Sequence, residues 1–599
     1  MTLCMRRRRL ATAIGLSRPE VGAAGSVWQA LWPGGASQTL VRSVVTMGLA
    51  LGGLGRAAAA TYYVTSAADD YSAGTLRYEV SRANATGANP TIQFDAALSG
   101  QAVALSHGAI SIYESMTIKG LGVANTTINA GTTSRILTIS SGGSARTVPV
   151  SGMRLTNGSA TGVGGAIYAT STNLNLQDVV LNNNVASSKG GAIYLADPGL
   201  TAPSISFGNV TITNNHANYG GGIYARDAQS LSISNSTISS NYAIGALGGV
   251  YARNIGSLSL DATTVSGNTA RRGNAGGIGI FAANAAPTFQ ISNCTISGNL
   301  ALIGGGVIYP RGGGIWIKGA SGTISGATIS NNTAHDGGGV YVSRITSPST
   351  IESVLTVRRS TISNNTASFY GGGIDVRSAK TLDVAYSVFA GNDATDAGSG
   401  HGGGAIAMHL LSGKSYVRNS TLYGNYAYTN GGGIGFFNAV GTGANNTTIA
   451  SATIVGNSTQ FSGGNGIYAK AGTPVLNSTI VANNVNVANN AGSQDLLGSF
   501  KVNFSDVKKK GTATFVAGSG NNLADGTDPS LGPLAANGGP TQSLLPNAGS
   551  PVLDTADTAI LSGVDQRGLP RVVSNHADVG AVERQNPEDV IFQDGFELQ

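Results

Sequence analysis

The sequence predicts an all-β chain, folded as a right-handed, single-stranded parallel β-helix of roughly a dozen coils with a helical cap at its N-terminal end. Three observations predict it. A glycine-rich step leading into an apolar residue recurs down the chain, from Ile167, Ile193 and Ile223 through Ile406, Ile434 and Ile467. A second step, apolar-x-x-Asn, alternates with it, as in Ile238-x-x-Asn241, Ile329-x-x-Asn332 and Ile362-x-x-Asn365. Between them lie alternating stretches such as Leu231-Ser232-Ile233-Ser234, whose period of two puts the apolar residues on one face of a strand.

The gaps between successive glycine steps run from 25 to 37 residues. Paired helices cannot absorb such variation, because both must pack in each unit. A strand solenoid takes extra residues into one turn of a coil and leaves the stack undisturbed. Each unit therefore reads as one coil of three short strands, its backbone groups bonded to the coils about 4.8 Å above and below. Isoleucines stack inside, and asparagines form ladders at the bends, where Asn also tolerates the left-handed backbone region.

In chain order, residues 1–60 read as a leader. Arg6 to Arg9 and the later arginines precede the apolar stretch Val44 to Leu54 and the small residues Ala58-Ala59-Ala60, the pattern of an export signal. Residues 61–150 hold the cap and the first coils: Gly74 to Asn84 spaces Leu76, Val80 and Ala83 along one helical face, and short strands follow. Residues 151–485 are the repeat array. Residues 486–585 carry the last coils and a proline-rich region, and residues 586–599 form an acidic tail.

The formal charge of +6 lies in the leader, where seven arginines face Glu20 alone. The remainder is balanced, so nothing electrostatic points to nucleic acid. No later run reaches transmembrane length. Past the leader the sole cysteine is Cys294, whose place other repeats fill with serine, as at Ser236 and Ser478. It reads as a repeat-position substitute rather than a nucleophile.

The glycine and apolar-x-x-Asn units over residues 150 to 485 resemble those of the polymorphic outer membrane proteins and related bacterial surface proteins of the pectin-lyase-like fold. The C-terminal segments Asn537-Gly538-Gly539-Pro540-Thr541, Gly549-Ser550-Pro551-Val552-Leu553-Asp554, Asp565-Gln566-Arg567-Gly568 and Asp578-Val579-Gly580-Ala581-Val582-Glu583 resemble the bacterial choice-of-anchor Q domain. These resemblances imply export and surface display, with the mode of attachment open.

The fold class also hosts polysaccharide lyases and hydrolases, so the sequence offers catalytic candidates. Gly400-His401-Gly402, with Asp393 and Asp396 upstream, is similar to the Gly-His-Gly of polygalacturonases. Inverting hydrolysis needs two carboxyl groups about 6.5–9.5 Å apart. Yet His401 stands before a glycine run, where Asp336 and Tyr370 stand in other coils, and the family's Asn-Thr-Asp and Arg-Ile-Lys companions are absent. A lyase would use a base beside a group that neutralises a uronate; Arg358, Arg359, Asp375, Arg377 and Lys380 fall within about one coil. His216, His335, His409 and His576 read as dispersed, with no metal-ligand spacing, and no cofactor is expected.

On the binding side, Tyr168, Tyr194, Tyr224, Tyr251, Tyr341 and Tyr468 each follow the apolar residue after the glycines, with Trp316 in the same place. If that residue points inward its neighbour points outward, giving an external aromatic column suited to carbohydrate or a surface protein, or serving only to stabilise the stack. The reading is an exported, adhesin-like binding rod without catalysis, with a secreted polysaccharide lyase or hydrolase as the alternative. Asp375, where tyrosine is usual, marks the kind of departure at which a site should be sought.

Overall fold

Short strands become stable here only by stacking. In the computed structural model the coil from Ile223–Arg226 continues through Ser230–Ser234, Thr237–Ser239 and Tyr242–Ala246 before the next begins at Val250–Arg253. The structure describes residues 59–585 apart from 141–144, 198–201, 284–285, 305–308, 399, 439–441, 462 and 560–562. The leader, but for its last two residues, and the tail 586–599 lie outside the described residues.

The fold is a parallel β-solenoid of about 15 turns, somewhat more than the dozen expected. Its strands form three parallel sheets, of 29, 14 and 12 strands, called here sheets A, B and C. The glycine-led strands make sheet B, in register from Ile110 to Leu496. All the counted apolar positions, from Ile167 to Ile467, are fully buried in its inner column. Extra residues sit in turns, so unequal repeat lengths leave this register intact.

From the coil of Ile223 onward most coils have four strands rather than three; in the coils of Ile167 and Ile193 the sheet A stretch is one longer strand, Thr172–Asn182 and Ser204–Thr213. The alternating stretch and the Thr-Ile-Ser stretch both belong to sheet A, separated by a residue at positive φ, such as Asn235 (φ 49°), Asn293 (55°) or Asn419 (43°). The bend also takes Ala262, Arg359, Tyr386 and Phe504. The conformation is thus imposed by the stack rather than by residue type.

After that bend comes a buried hydroxyl. Ser236 Oγ accepts from Val210 N at 3.0 Å and donates to the Ser234 carbonyl at 2.7 Å. Cys294 holds this place in its coil, its Sγ 3.1 Å from the Ser292 carbonyl, and burial pushes its thiol pKa up. A Cys294→Ser variant should therefore keep its stability within about 1 kcal/mol, as checked by denaturant melts, and Cys294 of the folded wild-type chain should resist thiol reagents; rapid alkylation at Cys294 in the folded chain would contradict this.

The asparagines form one continuous buried ladder from Asn184 to Asn484. In Asn332, Nδ2 donates to the Ile296 carbonyl and to Asn365 Oδ1, both at 2.9 Å, and the Asn299 backbone N–H and Nδ2 donate to its Oδ1 at 3.0 and 2.9 Å. Left-handed φ falls on the preceding residue, such as Asn331 (φ 57°) or Asn364 (54°), and not on the ladder residue as expected from sequence. Because each amide donates forward, the last rung needs only an acceptor. That rung is Asp495, whose Oδ1 accepts from Asn484 N and Nδ2 at 3.0 and 2.7 Å.

The cap is the helix α1 (Leu76–Thr86), begun by Thr75 as N-cap, with Leu76, Val80 and Ala83 buried. Arg77 pairs with buried Asp69 at 2.8 Å, and the Ser106 and His107 amides reach the same carboxylate. At the other end, the described residues from Pro529 to Gln585 do not extend the stack. They turn back along the outer flank of sheet A, where Leu544, Val552, Ala577 and Val579 pack on Val455, Ile480 and Ala482. Gln566 accepts from Thr421 Oγ1 at 2.6 Å, Thr453 Oγ1 accepts from Ala581 N, and Ser478 Oγ accepts from Asp557 N.

Among the described residues no helix is long and apolar enough to cross a membrane.

Candidate functional site

The outward neighbours of the buried sheet B column lie over one another in strict register: Tyr168, Tyr194, Tyr224, Tyr251, Gly279, Trp316, Tyr341, Asp375, Ala407, Gly435 and Tyr468. The first four rings stack at centroid separations of 5.7, 5.3 and 4.3 Å. Where Gly279 leaves a gap, Phe281 covers it: a Cβ on Gly279 would lie 2.5 Å from that ring. The column thus continues through Tyr251, Phe281 and Trp316, with centroids 5.3 and 4.5 Å apart. It is not external along its whole length, since Tyr224 and Tyr341 are buried.

These rings floor a groove of about 700 Å³ whose lining includes Tyr224, Tyr251, Phe281 and Trp316. Lys189, Arg253 and Lys318 stand around it, Ile345 and Pro348 also line it, and among the described residues no Asp or Glu does. Lys189 lies 5.4 Å from the Tyr224 centroid. The indole N–H of Trp316 is buried and finds no acceptor among the described residues. Flat apolar rings and surrounding cations make a surface suited to a hydroxylated or anionic chain.

Along the same face the composition changes. Asp375 takes the place of a ring and is fully buried, and burial pushes its pKa up although His409 opposes this. His409 brings Nε2 within 3.2 Å of Asp375 Oδ1. The Tyr370 ring meets His409 edge-on at 4.6 Å, and exposed Arg377 lies over Tyr370 at 5.2 Å. Burial raises the Tyr370 pKa, although Arg377 opposes this.

At the adjoining corner His335, Phe369 and His401 form a stack with centroids 3.9 and 4.1 Å apart. His335 Nδ1 is 3.1 Å from Asp336 Oδ1, and His401 Nδ1 is 2.7 Å from Asp396 Oδ2. His335, His401 and His409 therefore gather in neighbouring coils, each beside a carboxylate, contrary to the dispersed reading. Sequence spacing hid this because loops of unequal length separate them. The only signal was Asp375 itself. It is Gly402, not His401, that aligns with Tyr370 and Asp336. Among the described residues no group of three His, Cys, Asp or Glu side chains is placed to hold a metal ion.

The remaining candidates lie elsewhere. Arg358 and Arg418 both pair with Asp383 on sheet A, and Arg359 covers Tyr386. The expected cluster of Arg358, Arg359, Asp375, Arg377 and Lys380 therefore does not form: the strand bend sends the first two to a different sheet from Asp375 and Arg377. Asp393 lies on sheet C between Thr366 and Tyr426, with burial raising its pKa.

Residues 139–309 match the family model described as a right-handed beta helix region. No curated protein matches the sequence. Among solved structures the chain is similar to tailspike protein 3 of bacteriophage CBA120, at 13% identity over 80% of this chain and 67% of that one, with a TM-score of 0.33.

Proposed function

We propose that the protein is an exported, adhesin-like β-helical rod that holds a carbohydrate chain along the outer face of sheet B. The observation that carries this reading is the aromatic-floored groove at Tyr224, Tyr251, Phe281 and Trp316, with Lys189, Arg253 and Lys318 around it. Sugar rings present C–H faces that stack on aromatic rings and hydroxyls that accept from an N–H donor. The stack of coils fixes each ring before a ligand arrives, so little ordering is lost on binding. Export and display find support in the arginine-led leader and in the C-terminal segments that resemble the choice-of-anchor Q domain.

The test is retention of the purified chain on immobilised neutral and acidic polysaccharides. Trp316→Ala should weaken binding to the retained polymer about tenfold or more, while Tyr423→Ala, an exposed ring on sheet A, should leave it unchanged. Failure to bind any polysaccharide, or equal binding by both variants, would remove the reading.

A further inference from the structure

Sheet C turns toward sheet B along one corner of the coils, and the first row of this turn carries polar residues in several of them, such as Ser187, Ser368 and Thr395. Two stretches depart from this. Ile244, Arg271 and Leu302 follow one another in successive coils, where Arg271 N donates to the Ala243 carbonyl and Leu302 N to the Ala270 carbonyl, both at 2.9 Å. Further along the same corner stand Phe461 and Val487, and Val487 N donates to the Thr459 carbonyl at 2.8 Å. Ile303, Phe461 and Val487 are 61, 60 and 57% exposed, and Ile244 and Leu302 are exposed too. At about 4.8 Å per coil, Ile244 to Val487 covers about 40 Å of the corner.

Apolar side chains scattered singly over a surface need no explanation, but these share one edge with cations. Arg271 and Arg272 are exposed, and among the described residues neither is in an ion pair, unlike Arg226 and Arg311 in nearby coils. The acids along the edge are already engaged, Asp336 by Arg311 and His335, and Asp396 by His401. A second copy of the chain would therefore set free arginines against arginines. An anionic lipid surface answers both features: its headgroups match the planar guanidinium forks, and the boundary of its acyl chains takes the aliphatic and aromatic side chains.

We propose that this corner lies along the surface of an anionic lipid bilayer, with Leu302, Ile303, Phe461 and Val487 entering the boundary between headgroups and acyl chains and Arg271 and Arg272 on the headgroups. The coils are stacked rigidly, so the apolar side chains are presented together in one line, and little ordering is lost when they insert. The aromatic-floored groove adjoins this edge: Ala246, two residues past Ile244, lines it together with Lys189 and Tyr219. A chain lying in this way holds the groove beside the lipid surface. The inference stands on the corner alone and does not depend on what the groove binds.

The experiment floats the purified chain with vesicles of phosphatidylcholine alone and of phosphatidylcholine mixed with phosphatidylglycerol, and measures its oligomeric state without lipid. The expected result is flotation with the mixed vesicles, weakened by salt. The double change Leu302→Ser with Ile303→Ser should lower partitioning about tenfold or more, and Arg271→Gln with Arg272→Gln should do the same. Leu410→Ser, which removes an exposed apolar side chain on sheet B away from the corner, should leave it unchanged. Because the altered side chains are exposed, denaturant melts of both double variants should match wild type. Flotation with neither vesicle, equal flotation of Leu410→Ser and either double variant, or a dimer that the Leu302 and Ile303 changes dissociate in place of any flotation overturns the proposal. These vesicles carry no glycan, so Trp316→Ala should float as wild type does, and loss of polysaccharide retention leaves this inference standing.

Discussion

Replacing Asn332 by alanine should destabilise the chain by about 3–5 kcal/mol, among the largest effects expected of a single polar side chain here. The change removes both Nδ2 bonds, to Ile296 and Asn365, and the acceptor for the Asn299 backbone N–H and amide. All of these groups lie where water does not reach, so each that is left unpaired adds its own desolvation penalty. Thr328, in the same coil but exposed on sheet A, is the control, and Thr328→Ala should stay within about 0.5 kcal/mol. Denaturant melts of the two variants decide the matter: equal losses would mean that the ladder contributes no more than surface hydroxyls.

The second large effect is a loss of stability as pH rises from about 4 to about 8. Asp506 is fully buried under the C-terminal segment with neither oxygen hydrogen-bonded; burial, then Asp495 and Asp528 nearby, push its pKa to about 7. Glu583, buried in the same segment, is pushed to about 8 by burial and by Asp578. Below pH 3.8 the folded and unfolded forms of Asp506 both hold the proton, and its favourable contribution is complete. Between pH 3.8 and about 7 the unfolded chain releases a proton that the folded chain keeps, so stability falls. Above that window the loss is complete, at about 4 kcal/mol for this one group. Asp506→Asn should flatten the profile and be more stable than wild type at pH 8. A wild-type stability that climbs from pH 4 to 8, or an equally steep Asp506→Asn profile, would refute the assignment.

Much of the fold was legible because it is periodic. The inner column from Ile167 to Ile467, the ladder asparagines and the cap residues Leu76, Val80 and Ala83 all follow from patterns that one dimension can carry. The fourth strand was not legible, since its bend is held by the stack and accepts Asn235, Ala262 and Arg359 alike. Nor was the docking of the C-terminal segment, although a signal existed. Outward positions that carry Thr361 and Ser363 in one coil become Ile480 and Ala482 further on, which makes sense only if something covers them. The site divides the same way. Its aromatic floor was visible as a recurring residue, and Asp375 as a break in that recurrence. The meeting of Tyr370, His401 and His409 depends on how unequal loops close, which spacing along the chain does not encode.

The C-terminal segment, folded back over the flank, also decides how the molecule bears load. A pull on a chain that simply ended at the last coil would peel that coil away, one strand at a time. Here the tension enters at Thr421, Thr453 and Ser478 together, through bonds anchored in successive coils, with the apolar contact at Ile480 loaded in shear. Rupture then requires several coils to yield at once.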